Sequence, residues 1–126
     1  MIKNIVSNSA PAAIGPYTQA KKVDDFVFLS GQIPLDPTTG ELVGDNITLQ
    51  TKQVIKNISA ILSEEGLSEK NIIKTTCFLA EMADFADFNS AYASYFTSKP
   101  ARSCLAVKDL PKGALVEIEV IAYCIE

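Results

Sequence analysis

Val116-Glu117-Ile118-Glu119-Val120-Ile121-Ala122-Tyr123 alternates between two kinds of position. Successive side chains of a strand point to opposite faces, so Val116, Ile118, Val120 and Ala122 share one face and Glu117, Glu119, Ile121 and Tyr123 the other. The first set is wholly apolar and belongs in a core. The second is too polar for the core of a monomer and too apolar for open water, which suits a subunit interface with a polar pocket in it. A strand over Leu115 to Ile125 is therefore expected inside a sheet whose one face is covered by helices.

Working outward, Leu110-Pro111-Lys112-Gly113 is a turn, and Ser103 to Val107 is expected as the strand before it, paired directly with the carboxylate-bearing strand. Pro100-Ala101-Arg102 feeds that strand. Further upstream, Phe85, Phe88, Tyr92, Tyr95 and Phe96 recur at helical spacing to about Thr97, with Asp84 as the expected N-cap and Asp87 near the positive end. This aromatic stripe reads as packing against a sheet. Ile72 to Leu79 is rich in β-branched residues and predicts a strand with Thr75, Cys77 and Leu79 on one face. From Thr48 to Glu65, Val54, Ile55, Ile58, Ile61 and Leu62 mark one face of another helix, closed by Gly66 as a left-handed cap with Leu67 folding back.

The N-terminal third predicts strands at Ile2 to Val6, Thr18 to Val23 and Phe26 to Ser30, the last apolar enough to be covered on both faces. Asp24-Asp25 is a hairpin turn, and Ala10 to Tyr17 is irregular because it holds two prolines and a glycine. Gly31-Gln32-Ile33-Pro34 is expected to interrupt the third strand, with Gly31 letting another group approach the backbone. Helices alternate with strands after the opening hairpin, which predicts an α/β mixed sheet with both helices on one face. At 126 residues, one domain over 1–126 is expected.

Composition excludes several function classes. A net charge of −4 and a pI near 4.8, with no basic stripe, argue against nucleic acid as a partner. No stretch approaches the roughly 20 apolar residues of a membrane helix, and Met1-Ile2-Lys3-Asn4 opens no run of signal-peptide length. A cytoplasmic protein is the expectation. There is no histidine, which removes the commonest general base and metal ligand. Cys77, Cys104 and Cys124 show no zinc-ligand spacing and are expected as reduced thiols, with no metal bound.

Arg102 and Glu117 are the pair expected to carry chemistry. A guanidinium matches a carboxylate at two points, and Glu117 can act as a base or position a water. The plain alternative is that Arg102 merely neutralises Glu117 or Glu119. Glu119 is expected to have a structural role. Cys104 follows Arg102 on the same side of its strand and, lacking a histidine to activate its thiol, is expected to contribute backbone groups. Tyr17, Ser30 and Gly31 lie in irregular segments where ligand contacts concentrate, and the amide of Asn89, a poor helix former, could reach a ligand or a loop.

Ala12-Ala13-Ile14-Gly15-Pro16-Tyr17, Ser30-Gly31-Gln32-Ile33-Pro34, Thr39-Gly40-Glu41, Lys74-Thr75-Thr76, Asp87-Phe88-Asn89, Tyr95-Phe96, Pro100-Ala101-Arg102-Ser103 and Val116-Glu117-Ile118-Glu119 together resemble the RidA (reactive-intermediate deaminase A, YjgF) family. The likeness runs in register over nearly the whole chain. It implies a chorismate-mutase-like fold, a homotrimer around a barrel-like core with sites between subunits, and hydrolysis of 2-imino acids to 2-keto acids and ammonia without a cofactor. The imines arise from enamines such as 2-aminoacrylate and 2-aminocrotonate. By motif, Arg102 would bind the substrate carboxylate, the Cys104 backbone would hold the ligand, Glu117 would direct water, and Tyr17, Ser30, Gly31 and Asn89 would line the pocket. The segment Thr97-Ser98-Lys99 is shorter than in many relatives, and Ala106 stands where an acidic residue is common. A keto-acid-sensing module without turnover shares every one of these motifs. Endoribonuclease activity, proposed for some relatives, fits the charge poorly.

Overall fold

The alternation at the C-terminal end of the chain is realised at the middle of a six-stranded sheet. The computed structural model describes residues 1–125. In chain order its elements are β1 (Ile2–Ile5), β2 (Ala20–Val23), β3 (Phe26–Gln32), α1 (Ile47–Ser63), β4 (Ile72–Leu79), α2 (Phe85–Ala93), β5 (Ala101–Ala106) and β6 (Val116–Tyr123). The sheet order is β1-β2-β3-β6-β4-β5, with β4 and β5 parallel and every other pair antiparallel. The expected mixed α+β architecture is present, and β6 is flanked by β3 and β4.

Both helices lie against one face. Val54, Ile58, Ile61 and Leu62 of α1 are at most 1% exposed and pack with Val116, Ile118 and Val120 of β6 in one cluster that also takes in Phe88 and Tyr92 of α2. Each such aliphatic side chain contributes about 1.5–3 kcal/mol on burial. Helix α1 starts one residue earlier than its periodicity suggests because Asn46 Oδ1 accepts a hydrogen bond from the Leu49 N–H at 2.9 Å. Beyond its end Gly66 takes φ 68°, and the Leu67 N–H bonds back to the Leu62 carbonyl at 3.0 Å. That is the chain reversal expected there.

Four expectations are corrected. The Arg102 strand does not pair with the carboxylate strand: β4 lies between β5 and β6, so Cys77 faces Cys104 on one side and Ile118 on the other. The reason is the β4–α2–β5 crossover, which returns the chain in the same direction and seats β5 on the free edge of β4; the segment after β5 then crosses to the far side. Gly31 does not end β3. The strand continues to Gln32 through a bulge between Leu29 and Gln32, where one extra residue relieves the ladder.

Nor is β3 covered on both faces within the chain. Val27 and Leu29 are buried, whereas Phe26 and Phe28 are exposed on the face away from the helices, with the Phe26 ring 5.1 Å from that of Tyr123. Finally, Asp84 stands at the α2 N-cap position without capping it, because it closes a preceding 3-10 turn and its backbone is helical. Tyr95 and Phe96 fall beyond the helix in a turn, where Phe96 stacks on Tyr92 at 4.0 Å. Cys77, Cys104 and Cys124 are all free thiols, and no helix among the described residues is long and apolar enough to cross a membrane.

Candidate functional site

The β3 bulge brings the backbone of Gly31 against the side chain of Glu117. A Cβ at residue 31 would collide with Glu117 Oε2 and lie 2.8 Å from Cδ, so glycine is required for the carboxylate to rest where it does. Glu117 occupies the helix-free face of β6, with Phe78 of β4 as its cross-strand partner. Around it opens a cleft of about 500 Å³ lined by Tyr17, Ser30, Gly31, Pro111, Glu117 and Glu119. The carboxyl is half-buried, and burial first, then the charge of Glu119 two residues on, raises its pKa above the ordinary carboxylate value. Glu119 is exposed on the same face.

The loop that carries Tyr17 is organised by Gln19, which the sequence reading passed over. Gln19 is 3% exposed, accepts from the Ser7 N–H at 2.6 Å and donates to the carbonyls of Ser7 (3.1 Å) and Pro11 (2.7 Å). A buried amide is stable only when its groups are matched in this way. The one sequence signal was a Gln directly before Ala20 at the mouth of a strand. Ser30 joins the same scaffold: its hydroxyl donates to the Thr18 carbonyl at 2.6 Å and its N–H to the Gln19 carbonyl at 2.9 Å. Its donor is therefore spent on holding the Tyr17 loop. The Tyr17 hydroxyl accepts from the Ile14 N–H at 3.3 Å.

Arg102 is elsewhere. It is the register partner of Thr75 on β4, which is buried among the residues facing the helices. Its guanidinium lies over the rings of Tyr92, Phe85 and Phe88, with Cζ 4.8, 5.6 and 6.0 Å from their centroids. Nη1 donates to Asn89 Oδ1 at 2.8 Å. A second cleft, of about 450 Å³, runs along Tyr92, Phe96, Lys99, Pro100 and Arg102. Cys104 sits one register step along the same face, its thiol pKa raised by burial and drawn back by the Arg102 charge. Cys77 beside it is pushed up to about 12, first by burial. Neither thiol is poised as a nucleophile.

The expected pair is thus not assembled within one chain. Phe78 and its neighbours Glu117 and Leu105 share the helix-free face, while Thr75, Cys77, Arg102 and Cys104 share the helix face. Glu117 and Arg102 stand two strands apart, roughly 10 Å laterally, on opposite sides of the sheet. Arg102 neutralises neither Glu117 nor Glu119: among the described residues the ion pairs are those of Lys3 and Lys22 with Glu65. Tyr17, Ser30, Gly31 and Glu117 form one half of a site, and Arg102, Asn89 and Cys104 another.

The family described as endoribonuclease L-PSP matches residues 7–124. A protein of Lactococcus lactis named as the regulator AldR is 54% identical over 96% of this chain and 97% of its own. A mouse 2-iminobutanoate/2-iminopropanoate deaminase is 46% identical over 97% of this chain and 92% of its own. Among solved structures, Escherichia coli TdcF with bound serine superposes with a TM-score of 0.91 at 42% identity, covering 96% of this chain and 98% of that one.

Proposed function

The chain belongs to the endoribonuclease L-PSP family, the RidA/YjgF group that its motifs resemble, and from that premise we propose that it is a hydrolytic deaminase of short 2-imino acids. The observation that carries this reading is the division of the two half-sites between opposite faces of one sheet. Each is an open cleft with half of the required chemistry. A homotrimer that sets the Glu117 cleft of one copy against the Arg102 cleft of the next completes the site. The helix-free face, with Phe26, Phe28 and Leu105 each about two-fifths exposed, supplies apolar surface for such an interface.

In the completed site the substrate carboxylate docks on Arg102, which offers the Nε–Nη2 edge that Asn89 does not use. Backbone groups of Cys104, on an edge strand, hold the ligand from the side. The imine carbon is already electrophilic, so the protein has only to orient the reactants and manage protons. Glu117 takes a proton from water as its oxygen adds to the C=N carbon, then returns it to nitrogen. The C–N bond breaks, ammonia leaves and the 2-keto acid remains. The raised pKa of Glu117 suits a group that both accepts and donates a proton near neutral pH. No cofactor is needed. We place the protein in the cytoplasm as a single domain over 1–126, where its three free thiols stay reduced.

A keto-acid-sensing module is the second reading, favoured by the 54% identity to a protein named as a regulator. The net charge of −4 and the absence of histidine argue against RNA cleavage. Complementation tests the main reading. Arg102→Ala and Glu117→Gln are each expected to release little ammonia from freshly generated 2-iminobutanoate. Refolded together in equal amounts, they should regain activity, because about one quarter of inter-chain sites then carry both native groups. No recovery, with both variants folded and assembled, would refute sites shared between chains. A parent protein that binds 2-ketobutyrate yet releases no ammonia would favour the sensor.

A further inference from the structure

The sequence offers Asn89 as a residue that lines the pocket, but its side-chain oxygen is already committed to Arg102 Nη1 at 2.8 Å. We infer that Asn89 and Tyr92 are positioning residues that hold the Arg102 guanidinium in its binding orientation before any ligand arrives, with Thr75 in turn fixing Tyr92. This rests on the reading of Arg102 as the carboxylate anchor.

Two constraints act on the guanidinium from the same helix. Asn89 and Tyr92 are three residues apart on α2, so both project toward β5. Asn89 fixes the rotation of the planar group through a charge-assisted hydrogen bond. Tyr92 fixes its tilt, since the guanidinium carbon lies 4.8 Å from the ring centroid, nearer than to Phe85 or Phe88. The ring itself cannot swing. Its hydroxyl and Thr75 Oγ1 share a hydrogen bond of 2.7 Å, both buried, and Phe96 stacks on its other side at 4.0 Å. Thr75 is also the register partner of Arg102 on the neighbouring strand, so the sheet and the helix close a loop of contacts around one cation.

The consequence is preorganisation. A flexible arginine would surrender rotamer freedom when it captured a carboxylate, and a pre-set one does not. It also explains why an asparagine, a poor helix former, stands inside α2 where alanine would favour the helix.

The test needs a readout that does not depend on turnover. In the ligand-free parent, ¹⁵N relaxation of the Arg102 Nε–H should give an order parameter near that of rigid backbone, about 0.8. Asn89→Ala should release it to below about 0.6, and Tyr92→Phe, which keeps the ring and loses only the Thr75 link, should leave it close to the parent value. Asn89 is half-exposed, so Asn89→Ala should fold. By calorimetry, Asn89→Ala should weaken 2-ketobutyrate about tenfold, the size of one charge-assisted hydrogen bond. In an Arg102→Lys background, which has no planar fork to orient, the same change should add less than about twofold. A mobile Arg102 in the parent, or equal weakening in both backgrounds, overturns the inference. If Arg102 is rigid and freed by Asn89→Ala while the parent binds no keto acid, the positioning stands and the deaminase reading fails instead.

Discussion

The two halves of the site are supported in opposite ways. Arg102 is met by its own chain on several sides, with a hydrogen bond from Nη1 and three aromatic rings beneath it. Glu117 is half-buried with its pKa raised, and no hydrogen bond offsets the burial and the Glu119 charge that raise it. An anchor gains from being satisfied before binding, because every constraint already in place is one the ligand does not have to impose. A group that must accept and return a proton gains from being left under-satisfied, because full satisfaction would pin its protonation state.

Removing the anchor is the harshest way to break this comparison. Arg102→Ala should lower kcat/KM for 2-iminobutanoate by roughly 1000-fold, the loss of a charged, desolvated hydrogen-bonding partner. Because the guanidinium sits at an exposed edge strand, the melting temperature should change little. A variant that keeps parental kcat/KM would remove Arg102 from the site.

Glu117→Gln should cut kcat by about 100-fold while leaving 2-ketobutyrate binding nearly intact. It also carries a stability signature. A carboxyl whose folded pKa lies above its unfolded value favours the folded state below the ordinary carboxylate pKa, and that contribution is lost as pH rises through the raised value. Glutamine removes the loss. The variant should therefore gain melting temperature on the parent at pH 7 and not at pH 3.5. A melting difference that does not vary with pH would mean that Glu117 is not perturbed by its surroundings.

The smallest of the three effects sharpens the contrast. Gly31→Ala leaves both charged groups in place and displaces only the Glu117 carboxylate, whose Oε2 a methyl would strike. Turnover should fall about tenfold and stability by about 1–3 kcal/mol from overpacking, with keto-acid affinity close to that of the parent. Equal losses in affinity and turnover would show that Gly31 serves the whole cleft rather than Glu117.

Much of this was readable in advance from particular residues. The period of Val54, Ile58, Ile61 and Leu62 predicts α1, the strict alternation from Val116 to Tyr123 predicts β6 and its two faces, and Gly66 predicts the reversal that follows α1. The proximity of Gly31 to another group was also legible, since a glycine inside a strand invites close approach. Gln19 was not legible as the organiser of the Tyr17 loop, and Asn89 was legible only as an oddity. Their partners are 12 and 13 residues away, beyond the reach of local pattern.

By itself the sequence determined which residues form helices and strands, which face of each is apolar, and which family the chain resembles, because periodicity and turn chemistry are local properties of neighbouring residues. Which strand neighbours which was decided only by the tertiary structure. Alternation records the two faces of a strand but not its partners, and the α2 crossover sends β5 to the far edge of β4. That placement moves Arg102 to the helix face and leaves Glu117 on the other, so that the two groups the sequence joins are held apart within one chain.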